Sequence, residues 1–118
     1  MRDHNSTRLS GHLTTDPRPF TTHGGPDLPG VEGADFTLAV TDEWLDRVKG
    51  QCERTDYIGV VCYGPWRERA LKLQKGDRVL VTGKLRNEEL PAIAPGGKPE
   101  RKTKLRANSI ETLRAIVL

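Results

Sequence analysis

The stretch QKGDRVLVTGKLR, residues 74–86, decides the fold. Lys75-Gly76-Asp77 reads as a turn, and after it Val79, Val81, Gly83 and Leu85 alternate with Leu80, Thr82, Lys84 and Arg86. A side-chain period of two sends the first set to a core and the second outward, so the strand ends with two cations on its outer side. Just upstream, Pro65 suits a first helical turn, WRERALKLQ (66–74) continues it, and Gly76 closes it. The segment is the end of a helix running into an amphipathic strand.

Short segments punctuated by Gly and Pro extend in both directions. TRLSGHLT (7–14) alternates weakly, with Thr7, Leu9, Gly11 and Leu13 on one side and Arg8, Ser10 and His12 on the other, before Asp16-Pro17 breaks it. HGGPDLPGVEG (23–33) is dense in Gly and Pro and reads as a loop. In ADFTLAV (34–40), Phe36, Leu38 and Val40 fall at period two. DEWLDRVKGQCER (42–54) is polar and reads as an extended hairpin connection with a Lys-Gly turn. TDYIGVVCYG (55–64), rich in β-branched and aromatic residues, reads as a central strand. NEELPAIAPGGKPER (87–101) reads as a long loop and TKLRANSIETL (103–113) as the last strand.

Five strands with one short helix between the third and fourth is the layout of the OB-fold, an all-β, five-stranded Greek-key barrel. The SH3-like barrel lacks a helix of this length at that point. The reading gives one domain over residues 1–118 with its core at about 5–113, a single-domain length.

Composition narrows the function. The net charge of +3, the pI of about 9.1 and the mean hydropathy of −0.60 suit a polyanionic partner. No apolar run approaches the roughly 20 residues of a bilayer span, and MRDHNSTRLS has no signal-peptide core, so a cytoplasmic protein is expected. Cys52 and Cys62 show no ligand spacing, and Cys62 reads as a small core hydrophobe. Asp42, Glu43 and Asp46 are local to one connection beside Arg47 and Lys49, where a metal-dependent hydrolase needs carboxylates converging from several elements. His4, His12 and His23 have no Cys or carboxylate at ligand spacing. Neither an enzyme nor a cofactor or small-molecule substrate is implied.

Cations and rings are the remaining chemistry. Lys84 and Arg86 on the strand, and Lys98, Arg101, Lys102, Lys104 and Arg106 in KPERKTKLR (98–106), are candidate phosphate contacts; solubilising charge is the plainer alternative. The dense basic segment falls at the expected loop between the fourth and fifth strands. Tyr57 and Tyr63, six apart on one strand, share a face opposite Ile58, Val60 and Cys62. Phe36 belongs to the core, Trp66 packs the helix on the barrel, and its neighbours assign Phe20 to neither core nor surface.

These pieces together resemble the bacterial single-stranded DNA-binding protein family over about residues 5–113. GHLTTDP (11–17) is similar to its Gly-x-Leu-x-x-Asp-Pro turn, and FTLAVTDEW (36–44), TDYIGVVCYG (55–64) and LQKGDRVLVTGKLR (73–86) to its next strands in order. The resemblance implies single-stranded DNA as partner, bound without sequence preference in replication, recombination or repair. It also implies a homo-oligomer, commonly a tetramer, with a dimer as the lesser possibility. It places Trp44, Tyr57 and Tyr63 at base-stacking positions; Arg47 and Lys49, in the connection beside Trp44, are further candidate phosphate contacts. The chain departs from the pattern at NEEL (87–90), where Leu90 stands near a family aromatic and Glu88 and Glu89 repel phosphate. The first strand is polar at Arg8, Ser10 and His12, and no acidic tip of the kind common in the family occurs in these residues. An OB-fold paralogue that binds RNA or protein, with weak DNA binding, is the alternative.

Overall fold

A computed structural model of the chain describes residues 2–22, 30–90 and 100–113. Its elements are β1 (Thr7–Leu13), β2 (Arg18–Thr21), β3 (Glu32–Asp46), β4 (Gly50–Tyr63), α1 (Pro65–Leu71), β5 (Arg78–Leu90) and β6 (Glu100–Thr112). The sheet order is β1-β5-β6-β4-β3-β2, and β1 also pairs with β3, which closes β1, β5, β6, β4 and β3 into a five-stranded barrel. The OB-fold expected from the sequence is what forms. No helix among the described residues is long and apolar enough to cross a membrane.

The inward rows are those that the period of two assigns, except at Leu85, which the alternation sends to the core and the structure leaves 43% exposed. Leu13, Phe36, Leu38, Val60, Cys62, Val79, Val81, Leu105 and Ile110 are all buried in one cluster. Burying a Leu, Val or Phe side chain contributes roughly 1.5–3 kcal/mol, so this cluster dominates the stability of the barrel. α1 covers it through Ala70 and, just past the helix, Leu73, with Trp66 and Leu71 packed alongside. Pro65 sits in its first turn, as the sequence indicates, but the helix stops at Leu71 and the chain turns again over residues 74–77.

Two glycines mark where backbones come too close for a side chain. A Cβ on Gly11 would lie 2.2 Å from the carbonyl oxygen of Ala39, at the β1–β3 crossing that closes the barrel. A Cβ on Gly83 would lie 2.0 Å from the carbonyl oxygen of Arg106, at the β5–β6 irregularity. Asp16, from the same turn motif as Gly11, accepts a hydrogen bond from the Lys75 amide at 2.8 Å and ties β1 to the turn after the helix.

The structure corrects or extends four readings. RPFT (18–21) is a short strand, β2, paired along Glu32–Asp35; four residues beside two prolines carry no detectable alternation. Residues 42–54 are a two-stranded arm in continuous register from Asp42↔Arg54 to Asp46↔Gly50, whose polar composition mimics a loop because neither face meets a core. β3 begins at Glu32, inside the expected 23–33 loop, most of which lies outside the described residues. β5 and β6 run to Leu90 and from Glu100, so the basic residues expected in a loop after residue 97 stand largely on a strand.

Candidate nucleic-acid interface

The outer face of β2, β3, β4, β6 and β5 is one surface, and cross-strand register assembles it. In β4, Tyr57, Gly59, Val61 and Tyr63 alternate to this side, opposite Ala39, Thr37, Asp35 and Gly33 of β3, although Val61, Ala39 and Gly33 are themselves buried. Opposed residues in adjacent strands share a face. Val61 also aligns with Arg106 of β6, which faces Lys84 of β5, and the same row continues as Lys104 opposite Arg86 and Lys102 opposite Glu88. On the other flank, Arg18 faces Asp35 and Phe20 faces Gly33.

Rings and cations meet across these strands. Arg106 lies over the Tyr63 ring, and Phe20 meets the same ring edge-on. Phe20 also fills the space above Gly33, where a Cβ would lie 2.5 Å from its ring tip. The aliphatic stem of Lys104 runs across Gly59, with Cγ 3.3 Å from where a Cβ would stand, so it lies flat on the sheet between the two tyrosines. Tyr57 is 69% exposed, an open ring with no aromatic or cation–π partner among the described residues. Half-burial pushes the Tyr63 hydroxyl above its ordinary pKa, with Glu88 adding to the shift and Arg106 opposing it.

A groove of about 500 Å³ crosses this face, lined among others by Arg18, Asp35, Thr37, Tyr57, Lys102 and Lys104. A second, shallower concavity of about 260 Å³ lies against Lys84, Arg86 and Arg106, with no carboxylate among the described residues of its lining. Asp35 receives Arg18 Nε at 3.5 Å, a contact that neutralises charge at the ring-rich side of the surface. The cation-only end therefore attracts phosphate, while the ring-rich end presents flat faces and hydrogen-bonding groups.

The structure brings Tyr57, Tyr63, Lys84, Arg86, Lys102, Lys104 and Arg106 onto this one surface. It does not bring Trp44, Arg47 and Lys49 with them. Trp44 pairs with Cys52 five positions beyond the Ala39↔Tyr57 pair, about 17 Å along the strand, and the alternation puts it on the opposite side of the ribbon from Tyr57. Arg47 and Lys49 occupy the turn at the arm's tip, where Asp46 Oδ1 accepts the Lys49 and Val48 amides at 3.0 and 2.7 Å. Those two bonds, Lys49's first, hold the Asp46 carboxyl below its ordinary pKa. Asp46 thus shapes a turn, and Asp42 and Glu43 alternate to opposite sides of the arm. Lys98 lies outside the described residues, and the backbone of Arg101 pairs with Glu89.

Phe20, Arg18 and Asp35 are members of the surface that sequence reasoning missed. The period of two sends Asp35 outward beside Phe36, which was legible. That its neighbours would be Val61 and Arg18 was not, because only the strand register says so.

Comparison with known proteins agrees with the geometry. A single-stranded DNA-binding protein of Deinococcus radiodurans is 27% identical over 109 residues, covering 92% of this chain and 34% of that protein. The chain thus spans about a third of that relative's length. The Plasmodium falciparum SSB solved in complex with ssDNA superposes with a TM-score of 0.75 at 25% identity, over 97% of this chain and 98% of the other. A small single-stranded DNA-binding protein from Streptomyces coelicolor shares the fold at a TM-score of 0.64 and 22% identity, over 91% and 92% of the two chains. The model of the single-strand binding protein family matches residues 4–113, which span the whole barrel and every strand of the basic, ring-bearing face; the chain belongs to that family.

Proposed function

We propose that the chain binds single-stranded DNA on the outer face of the barrel, without reading a defined sequence, in replication, recombination or repair. The observation that carries this reading is the single surface on which Tyr57 and Tyr63 alternate with the Lys104 stem beside a row of Lys84, Arg86 and Arg106. Every base offers a flat face and every nucleotide a phosphate, so rings and cations together hold a strand whatever its sequence. The phosphates follow β5 and β6, and the bases turn toward β4, β3 and β2. The strand is sequestered and kept from re-pairing; no bond is made or broken.

The proposal covers residues 1–118 as one binding domain, in a soluble, nucleoid-associated homo-oligomer with a tetramer as the first expectation. Membership of the family and the likeness to an SSB solved with ssDNA support it. The test is a fluorescence-anisotropy titration of labelled oligo-dT at several salt concentrations, with RNA and duplex DNA in parallel and solution mass measured alongside. Tight oligo-dT binding that weakens with salt, and weaker duplex binding, is the expected result. Equal or stronger binding to RNA, or none to either, sinks the reading.

A further inference from the structure

The groove on the ring-rich side contains a group that phosphate contacts and stacking leave idle. Asp35 is a carboxylate on a surface built for a polyanion, where it repels the backbone it sits beside. Its side chain is only 26% exposed, its position is aligned with Val61, and Arg18, itself 81% exposed, approaches it. Arg18 reaches Oδ1, and among the described residues Oδ2 accepts no hydrogen bond. The groove volume of about 500 Å³ is that of a small-ligand pocket. Tyr57 offers it a flat wall, and Lys102 and Lys104 line it with positive charge.

An ionised carboxylate only accepts hydrogen bonds and a guanidinium only donates them. Side by side, Asp35 and Arg18 set an acceptor next to a donor. Cytosine and adenine carry an amino group beside a ring-nitrogen acceptor, which matches that order, and guanine offers two adjacent N–H groups to a carboxylate. Thymine flanks its one N–H with carbonyl oxygens on both sides, and these repel the carboxylate.

We propose that Asp35, paired with Arg18, reads the amino-bearing edge of one base in this groove and biases the bound strand toward cytosine, adenine and guanine over thymine. The inference rests on the single-stranded DNA reading above. It gives that surface a composition bias while leaving the sequence order free.

Oligo-dC and oligo-dT of about 15 nucleotides test it, since the two share charge, length and ring size. Both are titrated at mildly alkaline pH against the native chain, Asp35→Ala and Asp35→Asn, and the readout is the ratio of dC to dT affinity. That ratio falls about fivefold in Asp35→Ala, the value of one ordinary hydrogen bond. It also falls, though less far, in Asp35→Asn, whose near-identical shape preserves the fold, whose amide oxygen still accepts from cytosine and whose NH2 now donates to thymine oxygens. A ratio unmoved in both variants, with both oligonucleotides bound, overturns this inference alone and leaves the DNA reading standing. Failure of the native chain to bind either oligonucleotide defeats both.

Discussion

The guanidinium carbon of Arg106 lies 4.8 Å from the ring centroid of Tyr63, and the Phe20 ring meets Tyr63 at 5.9 Å and 84°. One face of Tyr63 is therefore already covered, and a base arriving on that side meets the Arg106 guanidinium first. Arg106→Lys keeps the charge and loses the plane. Affinity for oligo-dT falls by about 1 kcal/mol, a cation–π contribution, while the salt slope is unchanged. Arg106→Lys binding like the native chain while Arg106→Ala flattens the slope makes Arg106 a simple phosphate contact.

Tyr57 separates function from stability. Its ring is 69% exposed, so Tyr57→Ala shifts folding stability by no more than about 0.5 kcal/mol. Single-strand affinity drops by roughly 1–3 kcal/mol if the ring stacks on a base. Thermal melting and anisotropy on one preparation read both.

Lys84 and Arg86 stand on the outer row of β5, both exposed. Lys84→Ala and Arg86→Ala each weaken binding to oligo-dT and oligo-dC equally. Each makes the log–log salt dependence shallower by about 0.7. A slope that stays at the native value removes the residue from the phosphate path.

Gly83 tests the seam beneath that row. Its missing side chain lets the β5 backbone approach Arg106, and Gly83→Ala forces the strands apart at a cost of about 1–3 kcal/mol. Melting temperature falls accordingly, and because Arg106 carries the contact to Tyr63, DNA affinity falls with it. Gly50→Ala, at an exposed turn where a Cβ meets nothing but the backbone takes φ +78°, leaves binding unchanged.

Cys62 gives a pH prediction. Burial, with a smaller contribution from the charge of Asp35, pushes its thiol up to about 12 from an ordinary 9.0. The folded state holds this proton more tightly than the unfolded chain does. The resulting stability is fully present below about pH 9 and is lost as pH rises toward 12. Denaturant melts across that window show a steeper alkaline decline for the native chain than for Cys62→Ala. In a thiol-reagent assay at neutral pH, the half-exposed Cys52 reacts in the folded protein and Cys62 only after unfolding.

Much of the architecture was legible because pleating is local. Each residue's side of its strand follows from counting, and that alone turned Phe36, Leu38, Val60, Cys62, Val79 and Val81 inward and Tyr57, Tyr63, Lys84 and Arg86 outward. Polarity hid the strands of the expected hairpin where no core was present to pattern them. The 42–54 arm pairs by backbone hydrogen bonds with both faces wet, and its composition is that of a loop.

The amino-acid order thus settled the barrel, the place of the helix and the outward sense of the cations and tyrosines, because each depends on neighbours within a few residues. Which outward residues become one surface waited for the folded chain. Arg106 reaches Tyr63 only because β6 runs parallel beside β4, pairing Val61 with a residue 45 positions on, and Trp44 parts from Tyr57 only because the hairpin register is unbroken. Contacts between residues so far apart are chosen by strand pairing and the packing of the shared core, and no local periodicity encodes them.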